Sequence, residues 1–203
     1  MRIVIFGAGR VGIALAKTLE ERKHQVAMVD RSREMCDEVA AETNVNVVCG
    51  EATDPELLGE LKLDNADFVF AVTGNEETNF LVSVYAKHVN ADRVVSRASD
   101  PKYSNLMQRL GVEPIIPEVT LTRELANKVL SPLITMMLDP SDSKIEMLEK
   151  DVDSSMKGKE VAKVNEEKDF TIISVYENGS FLFPSSDFKL KEGMKIVVVK
   201  HNV

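Results

Sequence analysis

The sequence predicts a doubly wound α/β domain on a parallel sheet, then a linking helix, then a small α+β domain. Three observations carry this reading. Over residues 1–118, short Val- and Ile-rich runs alternate with amphipathic stretches of helical length. Those runs are continuously apolar, which marks strands buried on both faces and hence parallel pairing. Beyond residue 140 the pattern changes to apolar–polar alternation with hairpin signals.

The expected strands of the first domain are residues 3–6, 26–29, 45–49, 68–72, 94–95 and 115–116. Between them the spacing predicts helices over 11–22, 33–42, 55–61, 76–89 and 101–110. Right-handed crossovers leave few arrangements for such units, and the doubly wound open sheet is the commonest. Residues 120–138 differ: Leu121, Leu125, Val129 and Leu133 form one stripe, and Ile134, Met136, Met137 and Leu138 make the end apolar nearly all round. Pro132 should kink or break that helix. Its surplus apolar surface is either buried against another chain or packed in the core of the same one. The run Asp139-Pro-Ser-Asp-Ser143 has linker composition. Asn178-Gly179, set between β-rich runs at 170–176 and 180–183, is a type I′ hairpin signal, because both central residues need positive φ. Lys191-Glu192-Gly193 leads into 194–200, whose Val197-Val198-Val199 suits a central strand.

Twenty-five Lys and Arg stand against 33 Asp and Glu, a net charge of −8, which argues against a nucleic-acid partner. At 203 residues the chain can bury roughly 70% of its unfolded surface without staples. No window of 18 apolar residues and no signal-peptide pattern occurs, so the expectation is a cytoplasmic protein without membrane insertion. Two cysteines, Cys36 and Cys49, fit a reducing compartment and read as small buried hydrophobes.

Chemistry begins at Gly7-Ala8-Gly9-Arg10-Val11-Gly12, a G-x-G-x-x-G run between the first strand and the first helix. The first Gly permits the tight turn, the second lets backbone approach a pyrophosphate, and the third allows close helix–strand packing. Phosphates would then sit on unpaired N–H groups at the positive end of the helix dipole. Asp30 ends the second strand, 18 residues after Gly12, placed to accept bonds from an adenosine ribose. It disfavours a 2′-phosphate, an exclusion that Arg31 and Arg33 could soften. Three further loops fall at strand carboxyl ends: Gly50-Glu51-Ala52-Thr53-Asp54, Thr73-Gly74-Asn75 and Arg97. Each has an ordinary structural reading, such as a helix cap at Thr53-Asp54-Pro55, yet together they line the crevice of the glycine run.

The chain resembles the regulatory subunits of Trk/Ktr potassium-uptake systems, built from RCK (regulator of potassium conductance) domains. The matching stretches are GAGRVG, Asp30, GEATDP at 50–55, AVTGNEETN at 71–79 and RASDPKYSNLMQRLGVEPIIPE at 97–118. GKEVAKV, ENGSFLFP and LKEGMKIVVV extend the match to the C-terminal region. The resemblance implies a Rossmann-type N-terminal RCK domain over 1–118, a dimerisation or linker helix over 119–139 and a C-terminal RCK domain over 140–203. It places the adenosine diphosphate moiety at Gly7 to Gly12 and Asp30, with Glu51 where the family usually has Asp beside adenine. Thr73 and Gly74 would border the distal half of the ligand, and Arg97 would reach its phosphates. Arg10 would contact terminal phosphate across a subunit pair, and Glu118 would help bind a divalent cation.

The ligand implied is an adenine nucleotide, ATP/ADP or NAD/NADH. Arg10 tilts towards ATP/ADP, although a guanidinium also suits a dinucleotide pyrophosphate. The implied partners are a membrane potassium channel or transporter and further copies, as homodimers assembled into a ring, a tetramer of dimers at the inner face of the membrane. An NAD-dependent oxidoreductase and a stand-alone nucleotide sensor remain the alternatives. His24, His88 and His201 show no pairing, and the acidic run Glu146, Glu149, Asp151 and Asp153 reads as a solvated face. The C-terminal domain could hold a second ligand, such as cyclic di-AMP or a cation.

Overall fold

The computed structural model describes residues 1–138 and 145–201, with the side chains of Leu138 and His201 left aside. It divides into two units, Met1–Arg123 and Glu124–Val203. The expected linker at 139–143 lies outside the described residues.

In the first unit, β1 (Arg2–Phe6), α1 (Arg10–Glu21), β2 (Gln25–Asp30), α2 (Arg33–Glu42) and β3 (Asn46–Cys49) come first. They are followed by α3 (Pro55–Glu60), β4 (Phe68–Ala71), α4 (Glu76–His88), β5 (Arg93–Arg97), α5 (Pro101–Arg109) and β6 (Glu113–Ile115). The sheet order is β3-β2-β1-β4-β5-β6, and every pairing is parallel. Chain order therefore reverses between β1 and β4, which opens a crevice at their carboxyl ends.

The continuous apolarity of β1 has a direct explanation. Ile3 and Ile5 pack with Ala16 of α1 and Val39 of α2, whereas Val4 and Phe6 pack with Val82 and Ala86 of α4. Both faces are covered, and each such side chain contributes about 1.5–3 kcal/mol. Four helix starts carry a side-chain cap. Ser32 accepts from Met35, Asp54 from Glu56, Asn75 from Thr78 and Asp100 from Lys102. The N-cap of α1 is Gly9, with no side-chain cap and no acid in the first turn.

The long apolar segment begins earlier than its stripe suggests. α6 spans Pro117–Leu130, because proline suits a first helical position. As Pro132 required, the helix is interrupted, and α7 (Pro132–Leu138) follows. Among the described residues, α6 buries none of its side chains.

The second unit holds β7 (Ile145–Asp151), α8 (Val161–Glu167), β8 (Phe170–Glu177), β9 (Ser180–Leu182) and β10 (Lys195–His201) in an antiparallel sheet ordered β7-β10-β8-β9. β10 is central, with Ile196 and Val198 buried. Asn178 and Gly179 take φ of 52° and 81° between the paired residues Glu177 and Ser180, as a type I′ turn demands. The strand β7 was not expected. Its apolar residues do not alternate, and the acids Glu146, Glu149 and Asp151 are exposed along an edge.

Candidate functional site

A cavity of about 890 Å³ opens at the carboxyl ends of β1 to β5. Gly7, with φ of 113°, follows β1, and a Cβ on it would lie 2.9 Å from Thr73 Cα. A Cβ on Gly12 would lie 1.9 Å from the Gly7 carbonyl oxygen. Protein packing alone accounts for these two glycines. Gly9 is different: its backbone is extended, and a Cβ there would meet nothing within 4 Å. A Cβ at Gly9, a residue of the cavity wall, is excluded by no neighbour among the described residues. Together with the uncapped start of α1, this leaves backbone N–H groups available to an anion.

Asp30 stands beside this loop. Its Oδ2 accepts the Ala8 N–H at 2.6 Å and its Oδ1 accepts the Ser32 N–H at 2.8 Å. Each oxygen keeps a second lone pair for a hydroxyl. Arg31 approaches Glu51 at 4.0 Å, an exposed pair that contributes below about 1 kcal/mol. Carboxylates thus stand at the ends of β2 and β3. Arg10 at the start of α1 and Arg97 at the end of β5 also line the cavity, and neither guanidinium has an ion pair among the described residues. The wall suits a ligand with hydroxyls at one end and an anionic stretch across α1.

The structure gathers Gly7, Ala8, Gly9, Arg10, Val11, Asp30, Arg31, Glu51, Ala52, Thr73, Gly74, Asn75 and Arg97 around one cavity. Gly12, Thr53 and Glu118 are not part of its wall. Gly12 is buried beneath the loop it supports. Thr53 precedes the Asp54 cap of α3, and Glu118 is exposed in the first turn of α6. Among the described residues no group of three or more His, Cys, Asp and Glu could hold a metal.

The sequence reading did not assign Val29, Met35, Val72 and Thr78, which also line the cavity. Nor did it give a role to Glu76 and Asn79, although both lie in the AVTGNEETN stretch. Glu76 Oε1 accepts the N–H groups of Ser99 and Asp100 at 2.5 and 2.9 Å. Cys49 corrects an expectation: it is exposed at the end of an edge strand, whereas Cys36 is buried. Cys36 Sγ donates to the Asp30 carbonyl at 3.3 Å, and burial, then the neighbouring Cys49, push its thiol up to about 11. In the second unit Asp153 accepts from Ser155 and Met156, and the Ser155 hydroxyl holds its carboxyl below the usual range.

Residues 3–118 match the family model described as the TrkA-N domain. The chain belongs to the TrkA-N family. It is 30% identical over 201 residues to a Trk system potassium uptake protein TrkA homolog of Methanothermobacter thermautotrophicus, covering 98% of this chain and 93% of the relative. A homolog of the same description from Pyrococcus horikoshii is 31% identical over 212 residues, covering 100% and 93%. Among solved structures, the GsuK RCK domain shares the fold with a TM-score of 0.52 at 20% identity, over 98% of this chain and 44% of that one. The GsuK channel bound to NAD (TM-score 0.52, 20% identity, 98% and 36%) and GsuK bound to ADP (0.55, 18%, 64% and 34%) share it too. This TrkA-N chain therefore spans less than half the length of those channel proteins.

Proposed function

We propose that this TrkA-N chain is a non-catalytic regulator of potassium uptake whose crevice senses an adenine nucleotide. The observation that carries the proposal is the start of α1: uncapped N–H groups beside a glycine whose missing side chain no protein neighbour explains. Residues of this chain fit each part of such a ligand. The N–H groups from Gly9 into the first turn of α1 would hold the pyrophosphate over the turn made by Gly7 and Ala8, with Asp30 at the ribose hydroxyls and Glu51 with Ala52 at the region of the base. Thr73, Gly74, Asn75 and Arg97 would border the distal half, with Arg10 towards a terminal phosphate. The names of the relatives support potassium uptake, and the NAD- and ADP-bound channels support an adenine nucleotide while leaving both classes open. Glu118, which would help bind a divalent cation, is exposed outside this cavity wall.

The protein would act in the cytoplasm on a membrane potassium channel or transporter, as dimers assembled into a ring. No described helix is long and apolar enough to cross a membrane. Gating then requires differential affinity. A nucleotide that binds one ring state tenfold better supplies about 1.4 kcal/mol per site, and equivalent sites in a ring add. An oxidoreductase would need a positioned acid or base beside a nicotinamide. The acids of the wall, Asp30 and Glu51, stand at the ribose and base end, and its distal residues Thr73, Gly74, Asn75, Thr78 and Arg97 include no His, Lys, Tyr, Cys, Asp or Glu, which favours the regulator. The test is mass spectrometry of the nucleotide that co-purifies, with thermal shifts in ATP, ADP, NAD and NADH. A protein that carries none and responds to none rejects the proposal.

A further inference from the structure

We infer that Asn79 is a positioning residue for the distal half of the ligand, an inference that rests on the nucleotide reading of the crevice. Asn79 lies in the first turn of α4 and is 1% exposed. It does not line the cavity, so it acts through residues that do. Its Oδ1 accepts the Thr73 N–H at 2.9 Å and the Thr73 hydroxyl at 2.6 Å. Its Nδ2 donates to the carbonyls of Thr73 at 3.2 Å and Arg97 at 3.3 Å. These four bonds use the whole capacity of a carboxamide. One buried group therefore ties the loop after β4 to the end of β5.

The surroundings strengthen the tie. The Asn79 carbonyl receives the hydroxyls of Ser83 at 2.7 Å and of buried Ser96, on β5, at 3.5 Å. Glu76, three residues earlier, holds the Ser99 and Asp100 amides that continue the same strand. The single Thr73 hydroxyl proton has two acceptors, Asn79 Oδ1 at 2.6 Å and the Asn75 carbonyl at 3.0 Å, and the hydroxyl oxygen accepts the Asn75 N–H at 3.2 Å. Asn79 thereby sets where the Thr73 backbone and side chain stand towards a ligand. The adenosine side is built separately. Ala8 and Gly9 follow β1, Asp30 ends β2, and none of them bonds to Asn79. The two halves touch where Gly7 backs onto the Thr73 backbone, but their side-chain braces, Asp30 and Asn79, are separate, and a buried, fully satisfied network keeps the second in register before binding.

The two halves separate by ligand length. Calorimetry on the full chain would measure AMP, ADP, ATP and NAD against the wild type, Asn79→Ala and Asn79→Ser. The expected result is that whichever of the three longer ligands binds best weakens about tenfold in Asn79→Ala, because the loops must then be ordered during binding. AMP affinity should stay within about twofold, and that retained binding also reports a folded protein. Asn79→Ser supplies one hydroxyl in place of the carboxamide and should lie between wild type and Asn79→Ala, and it serves alone if the alanine variant does not fold. Equal losses for AMP and the longer ligand, or no loss for either, overturn the inference. A wild type that binds none of the four overturns the nucleotide reading instead.

Discussion

Asp30 accepts the backbone N–H of Ala8 at 2.6 Å, so the acid that would clasp a ribose also holds the glycine loop. The two roles have different costs when removed. Asp30→Ala orphans the N–H of buried Ala8, and an unsatisfied buried donor costs about 1–3 kcal/mol. It also deletes the ribose acceptors. The variant should therefore unfold at lower urea concentration and bind nucleotide at least about tenfold more weakly. Unchanged affinity by calorimetry would remove Asp30 from the ligand site while leaving its structural role standing.

Gly9 and Gly12 should respond to alanine in opposite ways. A Cβ on Gly12 would overlap the Gly7 carbonyl, so Gly12→Ala must displace backbone at a cost of about 1–3 kcal/mol or more. Gly9 has φ of −76° and open space, so Gly9→Ala should change stability by less than about 0.5 kcal/mol. The methyl group would nevertheless stand where backbone must approach a pyrophosphate. Urea unfolding and nucleotide titration on both variants check this. A Gly9→Ala protein that binds as well as wild type would falsify the pyrophosphate placement.

Arg10 and Arg97 have no ion pair among the described residues, and each charge-assisted bond to phosphate contributes about 1.5–3 kcal/mol. Arg97→Ala should weaken every ligand that reaches the distal loop. Arg10→Ala should narrow any affinity gap between ATP and ADP, read as the ratio of their dissociation constants. A ratio that does not move means Arg10 does not read a terminal phosphate.

Much of the first unit was legible because its constraints are local. Four consecutive apolar residues, 3–6, need cover on both faces, and a glycine run directly after them needs a turn against a neighbouring strand. Asp30 was legible for the same reason, as the last residue of the next strand. The part that escaped depends on groups facing inward from distant loops. The motif around Asn79 was visible, but that its carboxamide faces both Thr73 and Arg97 is a property of the β4–β5 pairing. β7 escaped because an edge strand with one half-covered face does not need strict alternation. Gly12 was legible as a packing glycine of the ligand loop, and it lies beneath the cavity wall, since spacing cannot distinguish a loop's lining from its support.

Cys36 and Cys49 should behave as unlike thiols. Cys49 is exposed and should react first with a thiol reagent, whereas buried Cys36 should react only on opening or unfolding. The raised thiol also sets a pH dependence. The folded chain holds the Cys36 proton up to about 11, against 9.0 for an ordinary thiol here. Below pH 9 both states are protonated and the contribution to stability is complete. Between 9 and about 11 the unfolded chain loses its proton first, so stability falls as pH rises. Urea midpoints across that range, compared with Cys36→Ala, would show the fall in wild type and a smaller one in the variant.

The stripe on α6 bears on assembly. Leu121, Leu125 and Val129 repeat at the four-residue spacing of one helix face, and Val129 is 80% exposed. Leu130, Leu133 and Ile134 continue the apolar surface across the Pro132 break. If copies of the chain pair through this face, as proposed, each such side chain gains about 1.5–3 kcal/mol when covered. Because Leu125 contributes nothing to the core of the single chain, Leu125→Glu should leave urea stability of the monomer within about 0.5 kcal/mol. Set in a symmetric pair, the same carboxylate would meet its own copy and lose water, so the dimer should dissociate. Sedimentation of wild type and variant at equal concentration reads the difference directly. A wild type that is monomeric at tens of micromolar, or a variant that remains dimeric, would show that this helix face is not where copies meet.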